Sequence, residues 1–125
     1  MKNRSLLARI GFALAGWRAA WVRERSFRTQ VGFACLALLV LLIIHPSPLW
    51  WALVALTCAL VLALELINSA LEGLIDLLHP EIHPEIKAIK DMLAGAVLAI
   101  SCAALVVGVA LVAAYVHAVL QSFET

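Results

Sequence analysis

The sequence predicts an all-α membrane protein with an N-terminal amphipathic surface helix and three transmembrane helices. The 125 residues are 65% hydrophobic and 14% charged, whereas soluble domains are about half apolar and about a quarter charged. Long apolar runs alternate with short polar segments that contain prolines. Seven of the nine Lys and Arg residues precede position 29, which suits anionic lipid headgroups and not nucleic acid. We therefore predict one membrane-embedded domain over residues 1–125.

Residues 4–28 form the predicted surface helix. One side of this helix is apolar and carries Leu6, Leu7, Ile10, Leu14, Trp17 and Trp21. Most of the arginines lie on the other side, a pattern that is typical of a helix in the membrane interface. Glu24 falls at the same angle as Leu6, so an unbroken helix would point this acid toward the membrane or the bundle. The alternative is that Glu24 pairs with a neighbouring arginine at the surface.

Three apolar segments follow, which we assign as membrane spans over residues 30–46, 49–78 and 86–120. The first has a short apolar run, and the prolines of the segment 45–48 end it. The third is uncharged from residue 92 to 121 and rich in Ala and Gly, which allow close helix packing in lipid.

Basic residues flank only one side of these spans. They lie in the N-terminal segment and between positions 79 and 90, whereas the 45–51 turn and the C-terminus contain none. The positive-inside rule therefore predicts a cytoplasmic N-terminus and 79–91 loop, and a C-terminus outside. His79 and His83 in this loop have a spacing that could bind a metal, although Pro80 between them disfavours a regular helix.

The second span ends in an acidic face. Glu65, Asn68, Glu72 and Asp76 fall within an arc of about 80° on a helix. Glu72 and Asp76 could simply form a solvated helix end. Glu65, however, lies two to three turns inside the apolar run, where an acid is a functional-site candidate. Three spans are too few to cover these side chains on all sides, so we expect an oligomer to bury them.

Lys90 and Asp91 open the third span, where they could form a plain ion pair or assist catalysis. A lysine beside carboxylates can hold phosphate, and carboxylates can hold Mg²⁺. Together with Glu65 as a base, this set meets the needs of phosphoryl transfer to a lipid alcohol. A proton- or cation-conducting oligomer built on the same acids is the alternative from another functional class.

The segment Glu65-Leu-Ile-Asn68-Ser-Ala-Leu-Glu72-Gly-Leu-Ile-Asp76, followed by Lys90-Asp91-Met92, closely resembles the prokaryotic diacylglycerol kinase family. Residues 16–28 resemble the amphipathic N-terminal segment of that family. The resemblance implies a homotrimeric kinase of the bacterial inner membrane with active sites between subunits. It implies transfer of the γ-phosphate of MgATP to diacylglycerol, which gives phosphatidic acid.

The resemblance also implies roles for individual residues. The implied catalytic base is Glu65, with Asn68 and Asp76 supporting the site. The implied ligands of Mg²⁺ are Glu24 and Glu72. The implied ATP contacts are Phe12, Glu24, Glu72, Glu81, Ile82, His83, Lys90 and Asp91. The implied lipid-substrate contacts are Ser26, Phe27, Arg28, Thr29, Gln30, Glu65 and Ala94. Because Phe12 stands where some members have a tyrosine, a hydroxyl contact to the nucleotide would be missing.

Two branches of the family differ in the lipid they phosphorylate, and this chain resembles both. Residues 78–84 and 93–98 look more like the undecaprenol kinase branch. Residues 18–21 look more like the Gram-negative diacylglycerol kinase branch. Diacylglycerol is the predicted acceptor, with undecaprenol as the alternative.

Overall fold

Four α-helices make up the computed structural model of the chain, which describes residues 3–125. They are α1 (Leu6–Arg23), α2 (Arg25–Ile44), α3 (Pro48–Leu78) and α4 (Pro84–Glu124). The helices α2, α3 and α4 are long and apolar enough to cross a membrane. At 1.5 Å per residue they are about 30, 46 and 61 Å long. The all-helical prediction is confirmed, and the chain is a multi-pass membrane protein.

Prolines and histidines set the ends of the long helices. Pro48 and Pro84 occupy the first positions of α3 and α4, where the missing N–H of proline costs no helical hydrogen bond. His45 ends α2 in the left-handed conformation with φ 50°. His83 caps the N-terminus of α4, because its Nδ1 accepts a hydrogen bond from the backbone N–H of Glu85 at 3.1 Å.

The predicted helix over residues 4–28 is broken into two helices at Glu24. This residue has an extended backbone (φ −112°, ψ 109°), and its N–H donates to the carbonyl of Ala20 at 2.8 Å. The Arg28 guanidinium donates to the carbonyl of Trp21 at 2.7 Å. That carbonyl lies in the last turn of α1, where backbone acceptors lack helical partners. The Arg28 side chain thus satisfies a carbonyl at the end of α1 from the other side of the break.

An aromatic pair holds α1 and α2 together at this corner. Phe27 is 1% exposed, and its ring meets that of Trp17 edge to face, with the centroids 5.5 Å apart. This arrangement is favoured for aromatic rings. The predicted lipid contact of Phe27 is not available in this structure, because the side chain is buried inside the protein.

Replacing Phe27 by alanine is therefore expected to destabilise the protein by about 3 kcal/mol or more, because a fully buried aromatic ring leaves a cavity. Thermal unfolding in detergent would measure the effect. Phe33→Ala is the matched control, since Phe33 lies on the same helix but is 62% exposed. Equal losses in the two variants would contradict the packing role of Phe27.

The helix α3 lies at the centre of the bundle. It contacts α1, α2 and α4, most extensively α4. Leu41, Val54 and Leu111 form the buried cluster where α2, α3 and α4 meet. Large apolar side chains of α4, such as Leu105 and Val106, are exposed. This outer surface suits lipid or another subunit rather than water.

Candidate active site

Glu65 is buried inside a single chain. It is 3% exposed and is the one charged side chain that residues 3–125 bury. The hydroxyl of Ser26, in the first turn of α2, donates a hydrogen bond to Glu65 Oε1 at 2.5 Å. A single chain therefore covers Glu65, contrary to our expectation for this acid, whereas Asn68 and Glu72 are only half-buried and the oligomer that would cover them stays a prediction. The corner between α1 and α2 brings a donor to Glu65.

The length of α3 places Glu65 near one boundary of the hydrocarbon core. Glu65 follows Pro48 by 17 positions, or about 26 Å along the helix. The hydrocarbon core is about 30 Å thick. If α3 starts at the opposite boundary, Glu65 lies just inside the core, and Glu72 and Asp76 lie beyond it at about 36 and 42 Å.

Burial decreases along the acidic face in the same order. Asn68 is half-buried, and its Oδ1 is buried without a hydrogen-bond partner among the described residues. Glu72 is half-buried, and Asp76 is exposed. The solvated helix end that we considered for Glu72 and Asp76 thus describes Asp76, whereas the deeper half of the face is enclosed.

Lys90 and Asp91 form ion pairs with other residues and not with each other. Lys90 Nζ donates to Asp76 Oδ1 at 2.6 Å, which links α4 to α3, and Lys87 Nζ donates to Asp91 Oδ2 at 2.7 Å. Both lysines precede the apolar part of α4. A lysine ammonium is a cation throughout the physiological pH range, as a phosphate contact requires.

The predicted ATP contacts in the α3–α4 loop are all exposed. Glu81, Ile82 and His83 lie between the two helices. Because His83 Nδ1 caps α4, its Nε2 is the ring nitrogen left for a ligand. Phe12 on α1 and Ala94 on α4 are exposed as well.

The carboxylate of Glu24 is half-buried at the break between α1 and α2. Among residues 3–125 no arginine forms an ion pair with it, so the proposed surface pairing is not observed. In the same described range, no three His, Cys, Asp or Glu side chains are grouped closely enough to hold a metal. Mg²⁺ commonly uses one or two carboxylates together with substrate phosphates and water. Glu24 and Glu72 are thus donors of the right chemical kind, and the unpartnered Asn68 Oδ1 lies one turn before Glu72.

Most predicted lipid contacts in the segment 26–30 are engaged within the protein. Ser26 bonds to Glu65, Arg28 caps α1, and Thr29 Oγ1 donates to the carbonyl of Arg25 at 3.1 Å. Gln30 lines an open apolar groove of about 800 Å³ between α2, α3 and α4.

The partners of two side-chain pairs at the candidate site could not be named from the sequence. Ser26 and Glu65 are 39 positions apart, and Asp76 and Lys90 are 14 apart. A buried acid signals that some donor must lie nearby, because an unpaired buried charge is costly. That signal gives no information on which residue supplies the donor.

The chain is similar to proteins described as diacylglycerol kinases or undecaprenol kinases. The family model described as prokaryotic diacylglycerol kinase matches residues 11–112. A diacylglycerol kinase of Synechocystis sp. is 36% identical over 105 residues, which cover 83% of this chain and 60% of that protein. A diacylglycerol kinase of Helicobacter pylori is 33% identical over 95 residues, covering 76% of this chain and 74% of that protein. An undecaprenol kinase of Bacillus subtilis is 33% identical over 85 residues, covering 68% and 69%.

The match to the family model spans most of the chain. It includes the corner at Glu24, the acidic face from Glu65 to Asp76, and the lysine and aspartate that open α4. The chain belongs to the prokaryotic diacylglycerol kinase family.

Proposed function

We propose that the protein is a membrane lipid kinase that transfers the γ-phosphoryl group of MgATP to the hydroxyl of diacylglycerol, giving phosphatidic acid and ADP. The observation that carries this proposal is Glu65, a buried carboxylate on a membrane helix, about three turns before the ion pair of Asp76 with Lys90. A diacylglycerol hydroxyl cannot leave the bilayer, so its base must lie near the boundary of the hydrocarbon core. Glu65 is the acid at that depth.

The chemical step assigns a role to each part of the site. Glu65 removes the proton of the lipid hydroxyl, whose oxygen attacks the γ-phosphorus while the bond to the β-phosphate oxygen breaks. Lys90 contacts the phosphates as a cation. Glu24 and Glu72 would hold Mg²⁺, which when bound offsets the negative charge of the phosphates.

The orientation that we propose for the chain gives ATP access to the site. We propose that the protein lies in the bacterial inner membrane, with the N-terminus cytoplasmic and the C-terminus outside. The arginines of α1 and the lysines at the start of α4 then face the cytoplasm, as the positive-inside rule requires. The loop between α3 and α4 opens into the compartment that contains ATP.

The relatives support two acceptors. Both diacylglycerol kinases and an undecaprenol kinase match this chain at 33–36% identity. The test is a side-by-side assay of the purified protein in mixed micelles with MgATP and either dioleoylglycerol or undecaprenol. We expect the larger kcat/KM with the diacylglycerol. A larger value with undecaprenol would change the acceptor, and turnover of neither, with ion flux through protein-containing liposomes, would favour the ion-conducting alternative.

We further propose a homotrimer with active sites between subunits, as the family resemblance implies. The exposed apolar side chains of α4, including Leu105, Val106 and Val109, offer a surface that a second subunit could cover. Mass measurement and cross-linking in detergent should give a trimer. A fully active monomer would contradict this assignment.

A further inference from the structure

The contact between Ser26 and Glu65 joins the first turn of α2 to the middle of α3. The Ser26 hydroxyl donates a hydrogen bond to Glu65 Oε1, with Oγ 2.5 Å from the carboxylate oxygen. Ser26 itself is exposed, whereas Glu65 is almost fully buried. The donor therefore stands at the entrance to the site, and the acceptor stands inside it.

We propose that Ser26 is a positioning residue for the base Glu65, not a lipid contact as the family resemblance implies. The inference rests on the proposed lipid kinase activity. Ser26 occupies Oε1 and fixes the rotation of the carboxylate. Oε2 is then the oxygen that takes the proton of the lipid hydroxyl.

Two physical effects make such a donor useful. A glutamate side chain has several rotatable bonds, and proton transfer requires its oxygen within about 3 Å of the hydroxyl. In a medium of low dielectric constant, a hydrogen bond to a charged group is also stronger than in water. Ser26 thus restricts the carboxylate to one orientation and holds it there with a strong hydrogen bond.

The corner between α1 and α2 holds Ser26 in place. Phe27, the next residue, is buried against Trp17, and Arg28 bonds back to the last turn of α1. The helix break at Glu24 places the start of α2 beside α3. The position of the hydroxyl is therefore set by the fold on both sides of Ser26.

The test compares Ser26→Ala and Ser26→Thr with the wild-type protein in mixed micelles. Alanine removes the hydroxyl and suits a helix, and threonine keeps the hydroxyl at an exposed position that has room for a methyl group. We expect Ser26→Ala to lower kcat roughly ten- to hundredfold, because a hydrogen bond to a charged group is lost. The KM values for MgATP and for the lipid should stay nearly unchanged. Ser26→Thr should restore most of kcat.

Two further variants complete the design. Thr57→Val is the matched control, since it removes an α3 hydroxyl that donates only to the backbone carbonyls of Leu53 and Val54, and it should keep the wild-type kcat. In a Glu65→Gln background, Ser26→Ala should add no further loss, because the two residues act as one unit.

Each other outcome overturns the inference. An unchanged kcat with a raised lipid KM would make Ser26 a lipid contact. Equal losses in Ser26→Ala and Ser26→Thr would show that the site requires the size of serine rather than its hydroxyl. If the wild-type protein turns over no lipid alcohol, the proposed function fails as well. Wild-type turnover with an unaffected Ser26→Ala variant would refute the positioning role alone.

Discussion

Glu65→Gln is expected to reduce turnover by about three orders of magnitude or more while MgATP still binds. The substitution keeps the size of the side chain but removes its ability to take a proton, and general base catalysis contributes about 10²- to 10⁴-fold. Ser26 can still donate to the amide oxygen, so the local structure should persist. The measurement is nucleotide affinity and turnover on the same preparation.

Two comparisons make this result specific to Glu65. Glu124→Gln changes the same charge at the far end of α4, where the residue is exposed, and it should leave turnover unchanged. Glu65→Asp keeps the charge but withdraws the carboxylate by one methylene, so it should also be badly impaired. Retained turnover in Glu65→Gln would remove Glu65 as the base. Lost ATP binding would make it a nucleotide or structural residue.

Glu72→Gln and Glu24→Gln are expected to weaken activity chiefly through MgATP. Each substitution removes a charged oxygen ligand for Mg²⁺. We expect the KM for MgATP to rise about tenfold or more in each variant, because loss of a single charged ligand costs on the order of 1.4 kcal/mol or more. Titration of activity with Mg²⁺ at fixed ATP would measure the shift.

Glu85→Gln is the control for these two variants. Glu85 lies in the first turn of α4, is exposed, and belongs to the same predicted cytoplasmic side. The Glu85→Gln variant tests whether the loss of any nearby negative charge raises the KM for MgATP. A normal Mg²⁺ dependence in either Glu72→Gln or Glu24→Gln would show that the metal assignment is wrong.

The helices of this protein could be predicted because their signals are local. The last two helices are predicted to begin at residues 49 and 86, and they begin at Pro48 and Pro84 in the structure. Proline restricts the backbone wherever it occurs, so its effect needs no tertiary information. The same holds for apolar length, which identifies a span without reference to its neighbours.

The break at Glu24 could not be predicted in this way. No proline or glycine marks the position, and the residues on both sides favour a helix. The break is accompanied by Phe27 packing against Trp17 and by Arg28 reaching the carbonyl of Trp21. These contacts exist only after the chain has turned.

The candidate site also has one part that the sequence predicts and another part that depends on tertiary contacts. The depth of Glu65 in its apolar run identified it as a candidate, and its burial supports that choice. The residues that complete its surroundings come from another helix. Periodicity along α3 indicates which side chains share its face, but it holds no information on what α2 and α4 place opposite.

The pairing of Ser26 with Glu65 has a consequence for the biogenesis of the protein. The helix α2 is synthesised before α3, so its hydroxyl already lies at the membrane when the acid leaves the ribosome. Inserting a charged side chain into a membrane helix costs up to about 3 kcal/mol on translocon scales, where the full value applies at the helix centre and Glu65 lies nearer the boundary. A donor that is already present lowers this cost, so the order of the helices along the chain favours insertion of the one that carries the acid.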